Sequence, residues 1–473
     1  MSEEVAVAAV REVESSVSIL LKDVGCLVTF DDDQRELKGV DVLLRNGVVA
    51  AIEDCVDPPA GAEVIDARGL VVLPGLVNAH QHLYQVGFRS FPELERVDMG
   101  GWLGGLHART LDAWRSDRFT PESVGLVAKA GMVESVLSGV TTIADQHYIF
   151  PGGRSDSYIE SMISAATDVG IRLHAGRGSM TLGRTRGGSV PDEVCQEMSD
   201  VLDHAQRLIE DHHDPDPFAK IRIDLAPCGL HVDRREMFEE FVALADANPG
   251  VGLHTHAYQE YDTDFCLERF NATPWQVLGE LGWQRRGVWL AHMVDVPHSE
   301  IQQYAAAGVG IVHVPAPDLR LGWGLAPVRA YLEAGCILGF GTTGSASNDG
   351  SNQLGDVRLA ALAHRTTDRN PKRWPTVREL LHLATRGSAD CLNRPVLGRL
   401  SVGSAADIAA WSLESIDRVG VHDPVGGLVL TGISDRCELV IVGGNVVVRG
   451  GRCITVDESE LALRARTALA DQP

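Results

Sequence analysis

The sequence predicts an α/β protein, a (β/α)8 (TIM) barrel joined to a small composite β-sandwich made from both chain ends. Three observations lead there. Eight short apolar strand candidates alternate with helical stretches, at Leu76–His80, Thr141–Asp145, Ile171–Ala175, Ile221–Ala226, Val251–His256, Val288–His292, Val309–Val314 and Ile337–Gly341. Apolar on both faces, they read as a buried parallel sheet, and eight is the number that closes a barrel. Histidines gather at the carboxyl ends of these strands, the face where barrel enzymes carry their chemistry. The two chain ends show hairpin grammar instead of strand-helix alternation.

Taken in order, residues 17 to 66 read as β-structure. Val17–Leu21 and Cys26–Phe30 are short strands, and Asp41–Arg45 and Val48–Ile52 flank Asn46-Gly47. That dipeptide marks a hairpin, because both central residues of a type I′ turn need positive φ. An apolar run from Leu70 to Val77 then leads, as one strand, into His80-Gln81-His82. Helical stretches at Ser123–Leu137, Asp192–Leu208, Arg234–Ala245 and Glu300–Ala306 separate later strands. At the far end Ala406–Trp411 is a strand, and Leu439–Val442 and Val446–Val448 flank Gly443-Gly444-Asn445. Neither end has enough chain to bury a sheet alone. Residues 1–70 and 395–473 are therefore expected to form one sandwich, and 71–394 the barrel. A doubly wound open sheet is the competing fold. It carries a Gly-rich phosphate turn after its first strand, where this chain has His-Gln-His.

Composition narrows the function. With 473 residues, 44% hydrophobic and 23% charged, the chain has the make-up of a soluble globular protein with a sizeable core. A formal net charge of -23 argues against nucleic acid or an anionic membrane as partner, since both are met by basic surface. No run of ~18 uncharged apolar residues suggests a membrane span, and the first residues are acidic, unlike a secretory signal. Nine scattered cysteines without a CxxC pair fit reduced thiols rather than a disulfide framework. A cytoplasmic enzyme acting on a small molecule is the expectation.

The histidines carry the chemistry. Residues i and i+2 of a strand face the same way, so His80 and His82 present two imidazoles to one point. Alone, such a pair is more often two polar residues at a strand end than half of a metal site. Here further histidines fall at comparable ends: the second strand closes on His147, the fifth on His254-Thr255-His256, the sixth on His292, and the seventh carries His313. By parity either His254 or His256 can join the pair. His147, His174 and His313 either line the pocket or bond backbone near the rim, while His107, His204, His212, His213, His298, His364 and His382 read as solvated. Gln85, Trp102, His147, Cys228, Trp323 and Asn348 are the candidate walls for a flat, weakly polar ligand.

The segments PGLVNAHQHLYQ, HTHAY, WLAHMV and GSASNDGSN resemble the amidohydrolase superfamily, in its mononuclear branch of aminohydrolases and chlorohydrolases, over roughly residues 20 to 450. ADQH, SMTLG, APDLRLGWGLAPVR, GFGTTGSASNDG and LGDVRLAALAHR resemble the s-triazine (atrazine-type) hydrolases within it. The resemblance implies that His80, His82 and His256 bind one divalent metal ion, usually zinc, with iron or cobalt also suited to three histidines. It implies a homodimer, and a place for His292 beside metal-bound water. Three neutral ligands leave a cation's charge largely uncompensated and one position open, so bound water falls in pKa from about 15.7 toward ~7. An imidazole, with an ordinary pKa of ~6.5, suits the proton transfer.

Two positions depart from the superfamily pattern. Most relatives carry a metal-binding aspartate after strand eight. Here it is Thr343, as in the triazine hydrolases, a neutral residue and poor ligand that shifts the base's duty to His292. The pattern His-x-x-Glu after strand five, whose glutamate protonates a ring nitrogen, reads here His256-Ala257-Tyr258-Gln259. Glutamine donates a hydrogen bond but transfers no proton. Three explanations stay open: a substrate that needs no ring protonation, Glu260 reaching in, or lost activity. The catalytic residues are expected to be His292, Gln259 and Thr343. The expected reaction displaces a chloro, amino or similar group from an N-heteroaromatic ring such as an s-triazine. Hydrolysis of a urea, carbamate, thiocarbamate or amide bond is the alternative, and a catalytically impaired metal-binding homologue the second.

Overall fold

The computed structural model describes residues 18–431 and 436–469, the side chain of Glu260 excepted. Each of the eight expected middle strands is present: β1 (Leu76–His82), β2 (Val140–His147), β3 (Arg172–Ser179), β4 (Ile221–Pro227), β5 (Gly252–Ala257), β6 (Val288–His292), β7 (Gly310–His313) and β8 (Ile337–Phe340). With a two-residue β9 (Thr343–Gly344) they form one all-parallel sheet, ordered β8-β7-β6-β5-β4-β3-β2-β1-β9. Only Gly341 and Thr342 separate β9 from β8. The chain leaving the last long strand thus pairs with the first, Thr343 opposite Gln81, and the sheet curls back on itself. Helices connect the strands, as parallel pairing requires. The one before β2, Pro121–Leu137, starts at Thr120, whose hydroxyl accepts from Ser123 N–H at 3.2 Å while Ser123 Oγ accepts from Thr120 N–H at 2.9 Å.

The Leu70–Val77 run is two strands rather than the expected one. Leu70–Pro74 runs antiparallel to Ile408–Ser412 in a separate sheet, and Leu76 begins the parallel one. Pro74 lacks an N–H, and Gly75 N–H turns away to Asp407 O at 3.0 Å. A Cβ on Gly75 would stand 2.1 Å from Thr141 Oγ1, so only glycine fits where the chain changes sheet.

That separate sheet has seven strands and mixes both chain ends: Cys26–Val28, Glu36–Leu37 and Leu70–Pro74 with Ile408–Ser412, Leu439–Val442, Asn445–Arg449 and Arg452–Cys453. A four-stranded sheet of Val48–Glu53, Val40–Arg45, Ser18–Val24 and Glu63–Asp66 lies beside it in sequence. Leu21 and Val42 of one sheet share a buried apolar cluster with Val72, Ile408 and Ile441 of the other. Asn46 and Gly47 hold φ of 53° and 78°, as the hairpin requires. Val17, expected in the first strand, lies outside the described residues. The final helix, Glu458–Ala468, leaves these sheets and packs on Pro121–Leu137. No described helix is long and apolar enough to cross a membrane.

Candidate metal centre and active site

β1 and β5 bring the expected histidines to one point. His82 Nε2 lies 3.1 Å from His256 Nε2, and one ring nitrogen from each of His80, His82 and His256 lies within 4.8 Å of the others, all three rings buried. Their neighbours fix the tautomers. His82 Nδ1 is 2.9 Å from Gln146 O, and His256 Nδ1 is 2.6 Å from Cys228 O. A carbonyl only accepts, so each Nδ1 carries the proton and each Nε2 keeps a lone pair. For His80 the same logic runs through one more ring. His254 Nδ1 donates to Trp289 O at 2.9 Å, which makes His254 Nε2 the acceptor for His80 Nδ1–H at 2.7 Å. His80 Nε2, enclosed and without a partner, is the third lone pair.

Three lone pairs aimed at one another repel unless a cation lies between them. Burial and the neighbouring imidazoles hold all three rings well below the ordinary histidine range, so the rings themselves do not take up that proton. A divalent ion with nitrogen ligands fits this donor set. His254, the alternative ligand by parity, is the partner that orients His80 and stacks on Trp289 with centroids 4.9 Å apart. Replacing His254 by leucine removes that orientation, and metal affinity is expected to fall about 10–100-fold. Competition with a chromophoric chelator measures it.

β6 adds His292, whose ring centroid is 5.3 Å from that of His256 and 5.6 Å from that of His80. Its Nδ1 meets Asp318 Oδ1 at 2.7 Å, and both side chains are buried. Burial pushes His292 down to about 3 and Asp318 well above the carboxylate range. A lone buried charge on either is disfavoured, so the pair gains by taking up a proton that cancels its charge. His292 and Thr343 both hold left-handed backbone, at φ 75° and 55°. For the β-branched Thr343 this is strain of the kind that collects at working sites.

A cavity of about 500 Å3 opens onto these histidines. Gln85, Trp102, Cys228, Gln259, Trp323 and Thr343 line it. Trp323 stands edge-on to His292, centroids 5.2 Å apart. Trp102 Nε1 donates to Ala346 O at 3.2 Å, and Gln85 is held by Tyr148 Oη at 3.1 Å. Thr343 Oγ1 is enclosed without a partner. The Gln259 side-chain amide makes no hydrogen bond among the described residues, which leaves it for a ligand. Burial raises the Cys228 thiol well above its ordinary range, so it is wall and not nucleophile.

Other expectations need correction. His147 does not line the cavity. Its ring packs behind the wall against Tyr84, Phe150 and Tyr158, at 5.5, 5.0 and 5.4 Å. Asn348 is spent on the fold, donating to Thr342 O at 2.7 Å and Asp356 Oδ2 at 2.6 Å. His313 faces His364, Nε2 to Nε2 3.1 Å, away from the metal centre. His107, His204 and His364 are buried rather than solvated. The side chain of Glu260 lies outside the described residues. Sequence reasoning missed Asp318, Tyr148 and His231. Asp318 was visible only as an acidic residue in the APDLR segment after the seventh strand.

Water is the reactant that such a centre draws from solvent, and this makes the chain a metal-dependent hydrolase. Residues 71–447 match the amidohydrolase family, and the chain belongs to it. It is 37% identical over 408 residues to 8-oxoguanine deaminase of Pseudomonas aeruginosa, spanning 86% of this chain and 88% of that one. Hydroxydechloroatrazine ethylaminohydrolase of Pseudomonas sp. (strain ADP) is 34% identical over 453 residues, 93% and 92% of the two chains. The solved structure of atrazine chlorohydrolase TrzN from Arthrobacter aurescens TC1, complexed with zinc, matches with a TM-score of 0.94 at 48% identity, over 96% of this chain and 100% of that one.

Proposed function

We propose that this chain displaces a chloro, amino or similar group from an electron-poor N-heteroaromatic ring, with one zinc ion held by His80, His82 and His256. The observation that carries the reading is the convergence of three enclosed imidazole lone pairs on a cavity walled by Trp102 and Trp323. When bound, the ion supplies Lewis-acid activation of water. His292 takes up the proton at Nε2, while Asp318 holds its other nitrogen. Thr343 offers a neutral hydroxyl where a carboxylate would compensate charge. Gln259 donates an amide hydrogen bond to a ring nitrogen or exocyclic atom without giving up a proton.

Gln259 also favours a second reading, a urea, carbamate, thiocarbamate or amide whose carbonyl carbon needs no ring protonation. Parallel assays with zinc separate the two. Chloride release from a chlorotriazine is the expected result. Turnover of a phenylurea alone would replace the first reading by the second, and neither reaction with zinc still bound would leave a metal-binding homologue. Gln259→Glu is expected to raise kcat/KM on a chlorotriazine by more than about tenfold, the lower range of general-acid assistance. The gain would carry a new alkaline limb, since a glutamate must be protonated to act. No change would take this residue out of the proton path.

The fold belonging to this reading is a closed (β/α)8 barrel within residues 71–394, entered at Leu76, with a composite β-sandwich from 1–70 and 395–473 to which the strand Leu70–Pro74 also belongs. The apolar cluster shared by the two end sheets supports the sandwich. A cytoplasmic homodimer completes the reading, with sedimentation velocity as the test of the dimer.

A further inference from the structure

A second cavity, of about 610 Å3, lies against the one at the histidine centre. Met99, Leu103 and His107, on successive turns of the Met99–Arg115 helix, line both. Arg184, Ser189 and Gly104 stand around that outer space. Gly104 sits inside a 17-residue helix, where glycine is a poor helix former. No atom lies within 4 Å of where its Cβ would be. Close packing therefore does not require glycine there; what lies beside it is open.

Several polar groups in and between the two cavities lack partners. His107 and His231 are 1% and 4% exposed, and neither imidazole makes a hydrogen bond among the described residues. His107 Nε2, His231 Nδ1 and Ser189 Oγ are enclosed and unsatisfied. Arg184 gives one N–H to Ser189 O at 3.3 Å and has no carboxylate within ion-pair distance among the described residues. Unpaired buried groups are costly, and a ligand that pairs them removes the cost. Burial holds both imidazoles at about 4, and Arg184 and His231 add to the effect on His107, so each meets a ligand as a neutral ring with one N–H.

We propose that the two cavities form one substrate site, with the reacting ring at the histidine centre and a carboxylate-bearing arm of the same substrate reaching past His231 and His107 to Arg184. Which end reacts rests on the hydrolase reading above. The arm is identified by its chemistry. Guanidinium, two imidazole N–H groups and a hydroxyl are all able to donate, and a carboxylate is acceptor only. A cationic arm would meet an arginine, and an alkyl arm would leave every donor unpaired.

The test uses the full-length zinc-loaded protein and two dihydroxytriazines with no chloro or amino group to displace, one with a carboxyethyl arm joined through carbon and one with the matching carboxamide, titrated calorimetrically. The acid is expected to bind at least about tenfold more tightly, the value of one charge-assisted bond over a neutral one. Arg184→Gln brings the ratio toward one and Arg184→Lys keeps part of it. Arg184 is exposed, so this exchange does not test the fold. Equal affinities in the parent protein, or a ratio that Arg184→Gln does not move, overturn the proposal. Binding is read without turnover, so the two readings fail separately. A protein that hydrolyses nothing yet shows the Arg184-dependent preference sinks only the hydrolase reading. One that turns over triazines with no preference sinks only the arm.

Discussion

His82→Ala and His256→Ala are each expected to lower kcat/KM by about 10³-fold or more, because Lewis-acid activation is worth several kcal/mol and each ~1.4 kcal/mol is tenfold. Metal content, measured by plasma mass spectrometry, falls with it from one ion per chain to a small fraction. The cause is geometric. The two Nε2 atoms stand 3.1 Å apart with both protons committed to backbone carbonyls at the far side of each ring. Removing one ring removes a ligand that His254 does not replace, since both its nitrogens are spent on His80 and Trp289. Metal that binds the native chain also stabilises it in proportion to its occupancy. A chelator should therefore lower the Tm of the parent and leave that of His82→Ala unmoved. An alanine variant that kept both its ion and its turnover would remove these histidines from the centre.

What the sequence made legible follows the periodicities that local geometry imposes. The two-residue period of a strand was enough to bring His80 and His82 together, and strand ends were enough to bring in His256 and His292. Parity could not choose between His254 and His256, because both face the same way. The difference is depth along β5, and depth is set by register with β6, where His254 lies opposite Trp289. On β2, parity needed an inward residue to start from. Gln146 is that residue, reaching across β3 to the carbonyls of Ala226 and Pro227, so His147 must point outward into the helices. His107 was readable as buried from Met99 and Leu103 on the same helix face, had the four-residue spacing been weighed above its polarity. The break at Pro74-Gly75 hid inside an apolar run that continues across two sheets, although a Pro-Gly pair is itself a turn signal. Asp318 had no such signal. It is held by the fold around β7, and only the placed ring of His292 gives it a purpose.

That ring and its carboxylate carry the remaining large effect. His292→Ala is expected to cut kcat by about 10²–10⁴-fold while metal content stays at one per chain, since it removes general-base transfer and no ligand. Asp318→Asn should lower kcat in the same direction and less, with KM little changed, because Asp318 stands behind His292 and does not line the cavity. The pH profile separates positioning from packing. In the parent, the carboxylate 2.7 Å from Nδ1 favours protonation of the imidazole, so the ring is filled, and inactive as a base, once pH falls below the pair's apparent pKa. Asparagine keeps the shape and removes that attraction. Proton affinity then drops toward that of a buried ring with no carboxylate beside it, which burial disfavours in its charged form. The acid limb of kcat should move to lower pH in Asp318→Asn even as the plateau falls. A lower plateau with an unmoved limb would mean that Asp318 only fills space, and the proton would have to leave by a route that avoids His292.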